Sequence, residues 1–297
     1  ANSVAEEAGN DEGIFGFGII STNNYTAITN LVSNTGVVAT DTAGVGTGRQ
    51  SLGACEYGGD KGIFAFGYYN PYTVGMSNLV SNAGVVASDV SAVGTAREGS
   101  PGACGYGDDK GIFGYGYASP SKLSMTSLVS NAGVVSSDVT GVGTARYYPA
   151  ATQYGGDKGI FGYGFGSDLS MTNLVSNTGV VSSDVAGVGT GRGYIAACSY
   201  GGDKGIFGYG YTGGYVSMSN LVSNAGVVAT DVTGVGSARG QQGACEYGGD
   251  KGIFGYGASS GGTKYSVTNL VSNAGVISSD VTGVGTSRGD MAGCSFN

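Results

Sequence analysis

The 297-residue sequence contains no histidine and no tryptophan. Without an imidazole there is no Ser-His-Asp or Cys-His nucleophile system, no His-based zinc or copper centre, and no side chain whose ordinary pKa suits a general base near neutral pH. An enzyme is therefore not expected, and no catalytic residue, metal ligand or cofactor is assigned. Charge is also scarce, at 11% of residues against about a quarter in an average soluble protein. It leans acidic, 13 basic against 21 acidic residues for a net −8, which opposes phosphate neutralisation and argues against nucleic acid as a partner. No apolar run approaches the ~20 residues of a membrane-spanning helix. Membrane insertion is not expected, and the chain reads as soluble.

Glycine is what the chain has in excess, 61 residues of it. Each glycine inside a helix costs roughly 1 kcal/mol relative to alanine, and no glycine-free window carries an apolar stripe at helical spacing. The fold class expected is all-β. Apolar residues make up 40% of the chain, enough for a core.

Internal repetition organises the rest. Gly-Ile-Phe recurs from Gly13, Gly62, Gly111, Gly159, Gly205 and Gly252, at spacings of 49, 49, 48, 46 and 47 residues. Each unit divides into four strand-like runs: Ala-Cys-x-Tyr, Gly-Ile-Phe-Gly-Tyr-Gly, Ser-Met-Ser-Asn-Leu-Val and Gly-Val-Val-x-Ser/Thr-Asp-Val. Gly-Gly-Asp-Lys turns join the first two runs and Ser-Asn-x-Gly turns the last two, where Asn and Gly tolerate positive φ. The chain ends on a first run without its second (residues 293–297) and opens on a second run without its first (residues 11–15). These halves complete one another, so a ring of six four-stranded blades is expected in place of a capped solenoid. Residues 1–10 read as a polar lead and 11–297 as a single domain.

Over residues 11–297, this order of elements, with its glycine-flanked second strand and closing C-terminal strand, resembles the kelch type of six-bladed β-propeller. The kelch layout usually carries a double glycine after the second strand and a tryptophan near the fourth; here the first of these places reads Gly-Tyr-Gly and the second has no counterpart. The copper oxidases built on such propellers need histidine ligands, so their activity does not transfer. The text GIFGYG followed by NLVSN-GVV-D-GVGTAR is also similar to repeats of marine bacteriophage tail-fibre and virion-surface proteins. That resemblance implies a virion-surface location and a partner that is a protein receptor, a glycan or a neighbouring virion subunit.

Connections in a meander alternate between two faces. The near-constant turns fall on one, and on the other fall two variable stretches per unit: residues 19–27, 68–75, 117–123, 165–169, 211–217 and 258–266, with 50–53, 98–102, 147–150, 193–196, 240–243 and 289–292. Eleven of the 20 tyrosines lie there: Tyr25, Tyr68, Tyr69, Tyr72, Tyr117, Tyr147, Tyr148, Tyr194, Tyr211, Tyr215 and Tyr265. Loops rich in Tyr, Ser, Gly and Asn on a rigid scaffold have the composition of a recognition surface, since tyrosine offers large area at small entropy cost. Neutral drift after duplication would leave the same loops free to differ.

Other repeated positions read as structural. One arginine per unit (Arg49, Arg97, Arg146, Arg192, Arg239, Arg288) follows one aspartate (Asp41, Asp89, Asp138, Asp184, Asp231, Asp280). A pair tying adjacent blades is expected, a basic ring for an anion being the alternative. Cys55, Cys104, Cys198, Cys245 and Cys294 share one place with Thr152, so small buried free thiols are expected. Glu56, Gln153 and Glu246 fall on the innermost strand, where they would line a channel. Arg288-Gly289-Asp290 spells an integrin-type tripeptide, but its arginine is the ordinary repeat arginine. The function expected is non-enzymatic recognition through the Tyr-rich face. The alternatives are a lectin-like propeller and, with least support, a sialidase-like hydrolase, for which Ser136 to Thr144 has the wrong Asp-to-Gly spacing and lacks the tryptophan of an Asp box.

Overall fold

The computed structural model describes residues 11–91 and 93–296; the polar lead expected over residues 1–10 lies outside the described residues, as does Asn297. Among the described residues there is no α-helix, and a single 3-10 turn spans Ser260–Gly262. Six three-stranded antiparallel sheets hold the repeats. Their first strands are Gly53–Tyr57, Gly102–Tyr106, Ala150–Tyr154, Ala196–Tyr200, Gly243–Tyr247 and Ala292–Phe296. Each packs beside the first strand of the next unit, and the series returns on itself, with Ala292–Phe296 against Gly53–Tyr57.

The sheet that joins the two ends of the chain follows the expected pairing. Glu12–Gly16 runs antiparallel to Ala292–Phe296, with Gly13 opposite Ser295 and Ile14 opposite Cys294, and on its other edge to Thr29–Val32.

The central strand of each sheet is buried on both sides, which explains why Ile and Phe follow one another without alternation. Ile14 and Phe15 are both fully buried. The flanking glycines are required by close approach. A Cβ on Gly13 would lie 2.5 Å from Cys245 Sγ of the preceding unit, and one on Gly16 would lie 2.8 Å from the Phe64 ring of the following unit. The same contacts recur around the molecule, as at Gly62 against Cys294 and Gly114 against Phe161. Thiol, glycine and phenyl ring therefore interlock from unit to unit.

The fourth run departs from the expectation of a full strand. It meets the third strand only at two isolated bridges, Val32 with Val38 and Thr29 with Thr42 in the first unit, and likewise in the other five. Two residues lie between the bridges on one side and three on the other, so one residue bulges and breaks the ladder. A side chain fills the gap: Asn30 Nδ2 donates to the Ala39 carbonyl at 3.0 Å and to Asp41 Oδ1 at 2.9 Å.

Candidate recognition face

The near-constant turns contact one another on one side of the molecule. Asn82, Asn131, Asn177, Asn224 and Asn273 each donate to the aspartate of their own unit's Gly-Gly-Asp-Lys turn, or its Gly-Asp-Asp-Lys variant, at 2.9 to 3.2 Å. Amides of the same turns donate to the next unit, as Gly58 N to the Asp109 carbonyl at 2.7 Å. The lysines there are partly solvent-exposed and pair with the preceding aspartate, as Lys158 with Asp157 at 2.8 Å.

The variable stretches likewise meet one another. Each link into a first strand bridges the variable stretch after a second strand: Gln50 with Tyr68, Glu98 with Tyr117, Tyr147 with Phe165, Gly193 with Tyr211, Gly240 with Ala258, and Gly289 with Ile19. In the first three units that stretch is a separate two-stranded hairpin, as Tyr68–Tyr69 with Tyr72–Thr73; in the last three it extends the second and third strands past a bulge.

Six of the eleven tyrosines form one connected cluster. Ring centroids lie 5.8 Å apart for Tyr117 and Tyr147, 5.3 Å for Tyr147 and Tyr148, 4.2 Å for Tyr148 and Tyr194, 6.5 Å for Tyr194 and Tyr211, and 5.2 Å for Tyr211 and Tyr215. Phe165, which a search for tyrosine misses, packs against four of them. Tyr25 with Tyr68 and Tyr69 with Tyr72 form separate pairs, and the Tyr265 hydroxyl lies 3.1 Å from Ser259 Oγ. Of the eleven only Tyr72 is exposed, at 57%; the others are half-buried. The face is thus a packed, lopsided aromatic surface.

At its centre the six links converge. Ser51, Ser100, Tyr148, Tyr194, Gln241 and Asp290 occupy equivalent places, all at positive φ between 41° and 61°. Ser51 N donates to the Asp290 carbonyl at 2.8 Å and Ser100 N to the Ser51 carbonyl at 3.0 Å. A cavity of about 70 Å³ opens here, with residues of all six first strands in its wall. Beneath it a narrower cavity is lined by Glu56, Gln153, Ser199, Glu246 and Ser295, which places the three expected channel residues together. Burial, reinforced by the Glu56 charge, pushes Glu246 up to about 8.

The six repeat arginines are fully buried. Arg192 shows the arrangement: Nε donates to the Tyr209 carbonyl at 2.7 Å, one terminal nitrogen to the Thr190 carbonyl at 2.9 Å and the other to Asn220 Oδ1 at 2.7 Å. Its guanidinium lies 4.6 Å from the Tyr163 ring centroid. The aspartate is a remote partner, 3.9 Å away for Asp231. That carboxylate instead accepts from Thr190 Oγ1 at 2.7 Å and Asn220 Nδ2 at 2.9 Å. Burial raises its pKa, but these hydrogen bonds outweigh burial and hold it below the ordinary value. The aspartate and arginine do tie adjacent units, through Asn, Thr and backbone more than through each other. Zero exposure closes these positions to an anionic ligand and hides Arg288 of the integrin-type tripeptide.

The tyrosine under each arginine went unread as a functional position in the sequence, although its signal was the constant Gly-Tyr-Gly. Tyr115, Tyr163, Tyr209 and Tyr256 sit at positive φ beneath their arginines, with Phe17 and Phe66 in the remaining units. The five cysteines are free and buried, with burial raising every thiol pKa. Such thiols are poor nucleophiles. In comparisons of the sequence with known proteins, no family model and no curated protein matches the chain.

Proposed function

We propose that the six sheets are the blades of a closed β-propeller of kelch-like layout, and that the molecule is a non-enzymatic recognition disc whose variable face binds a partner. The observation that carries this reading is the segregation of sequence: the near-constant turns bond to one another, and the diverse segments pair among themselves around a connected aromatic patch. Aromatic rings at a rigid surface suit a protein receptor, a glycan or a neighbouring subunit alike. The similarity to phage tail-fibre repeats puts that partner at a virion or host surface in this proposal.

Two measurements test it. Deleting residues 291–297 removes the strand that pairs with Glu12–Gly16; a closed propeller should lose its cooperative melt and regain it when the missing peptide is added. For recognition, binding on a glycan array and to host surface proteins should fall on Tyr72→Ala and Tyr211→Ala and be indifferent to Asn82→Ala on the opposite face. Binding that follows Asn82 and ignores the tyrosines overturns the reading. Sugar-specific binding selects the lectin-like form, and recovery of the chain in purified particles tests the virion setting.

A further inference from the structure

Two buried side-chain oxygens in adjacent links, Asp290 Oδ1 and Gln242 Oε1, have no hydrogen-bond partner among the described residues. Asp290 is 6% exposed and Gln242 5%. A buried carboxylate without a partner is costly, and native proteins keep such groups where something else completes them. Gln242 lines the axial cavity together with Tyr148, Tyr194, Gln241 and Met291. Asp290 occupies the place equivalent to Tyr148 and Tyr194, and in the cyclic order of links it lies opposite Tyr148.

Tyr148 reaches across this mouth. Its hydroxyl lies 3.2 Å from Ser51 Oγ, and Ser51 is bonded through its amide to the Asp290 carbonyl. Tyr194 stacks on Tyr148 at 4.2 Å. Burial, and after it the Asp290 charge, raises the pKa of the Tyr148, Tyr194 and Tyr215 phenols. Two other charged groups act on Asp290, Lys264 and Glu98. The Lys264 ammonium lies 3.4 Å from Gln241 Oε1 and forms no ion pair with Asp290. Burial pushes the Asp290 carboxyl up to about 7 against the opposing Lys264 charge.

We infer that the axial mouth of the variable face binds an organic ammonium group, a lysine side-chain end or a small primary amine, with Asp290 as its counter-charge and Tyr148 and Tyr194 as its aromatic wall. The inference rests on reading this face as the recognition surface and names the chemistry of its centre. An ammonium supplies what both orphan oxygens need, N–H donors, and also the direct ion pair that Lys264 does not form with Asp290. The ring faces attract the same charge. A neutral sugar would supply donors only. The acidic net charge of the chain, −8, favours approach of a cation.

The test is titration of the intact protein with n-butylamine and with Nα-acetyl-lysine methylamide, followed by calorimetry and by the NMR shift of the Asp290 carboxyl carbon. Saturable binding that moves the Asp290 resonance is expected. Asp290→Asn keeps the shape and removes the charge, and Tyr148→Leu removes the ring; each should weaken binding by at least about tenfold, with unchanged melting behaviour verifying the fold. Tyr148→Phe, which keeps the ring, should bind as the wild type does. No binding up to about 0.1 M amine, equal binding by Asp290→Asn, or binding of neutral sugars that ignores Asp290 would each overturn the inference. Silence towards amines while Tyr211→Ala still abolishes partner binding removes the ammonium site and leaves the recognition face standing. Amine binding in a protein whose partner ignores the loop tyrosines does the reverse.

Discussion

The Arg288 guanidinium donates to the Phe17 carbonyl at 2.9 Å, a contact between residues 271 positions apart. The same arginine donates to Thr286 O at 3.1 Å and Asn30 Oδ1 at 2.7 Å, and lies 4.3 Å from the Tyr256 ring centroid. It holds the last unit to the first by the arrangement that Arg192 uses within the chain.

Replacing Arg288 should therefore cost far more than a surface charge does. Arg288→Ala leaves three acceptors unpartnered in a buried site, for a loss of about 3–5 kcal/mol in urea unfolding. Arg288→Lys should recover little of it, because an ammonium cannot present the planar fork that meets three acceptors and a ring face. A lysine variant as stable as the wild type would mean that charge alone matters here.

The interlock of glycine and thiol predicts a double-mutant cycle. A Cβ at Gly62 would lie 2.6 Å from Cys294 Sγ, so Gly62→Ala should destabilise by about 1–3 kcal/mol through overpacking. In a Cys294→Ala background the same change should cost less, with a favourable coupling of about 1 kcal/mol. Cys198→Thr should be mild by comparison, since Thr152 already fills that place against Gly205.

Glu246 should make the protein less stable as pH rises. Its folded pKa, about 8 through burial and the Glu56 charge, lies above its unfolded value, so the folded state binds the extra proton between the two. Stability then declines from about pH 4.5 to about pH 8 and levels off beyond. Glu246→Gln should raise the melting temperature at pH 9 by about 2 °C or more and leave it unchanged at pH 4.

The aspartate latches act in the opposite sense. Burial raises the Asp41 pKa, but hydrogen bonds from Thr286 and Asn30, with the Arg288 charge, outweigh it and hold the carboxyl below its ordinary value. A depressed carboxylate contributes stability that is full above the unfolded pKa, near 3.8, and lost as pH falls through the folded one. Asp41→Asn should accordingly lower the melting temperature at pH 6 and narrow its gap to the wild type as pH falls below 3.8.

Much of this molecule is legible in its repeats. Glycine content and the spacing of Gly-Ile-Phe dictate an all-β chain of six equivalent units, and the unmatched runs at the two ends specify that Glu12–Gly16 pairs with Ala292–Phe296, because a strand with a free edge and a complementary run supplies its own partner. Repetition also marked the arginines and cysteines as structural, since a position filled by arginine in all six units, or by cysteine in five and threonine in the sixth, answers to its neighbours in the fold. What the letters did not reveal is whatever depends on distance between units. The bulge that turns the fourth run from a strand into a side-chain-bonded edge arises from a one-residue mismatch against the third strand. The half-burial of the tyrosines follows from ring-to-ring packing between units. The gathering of Ser51, Tyr148, Tyr194 and Asp290 at one mouth involves residues up to 239 positions apart that share no motif. Only the pairing of the two ends of the chain brings their equivalent backbone positions together, with the Ser51 amide on the Asp290 carbonyl.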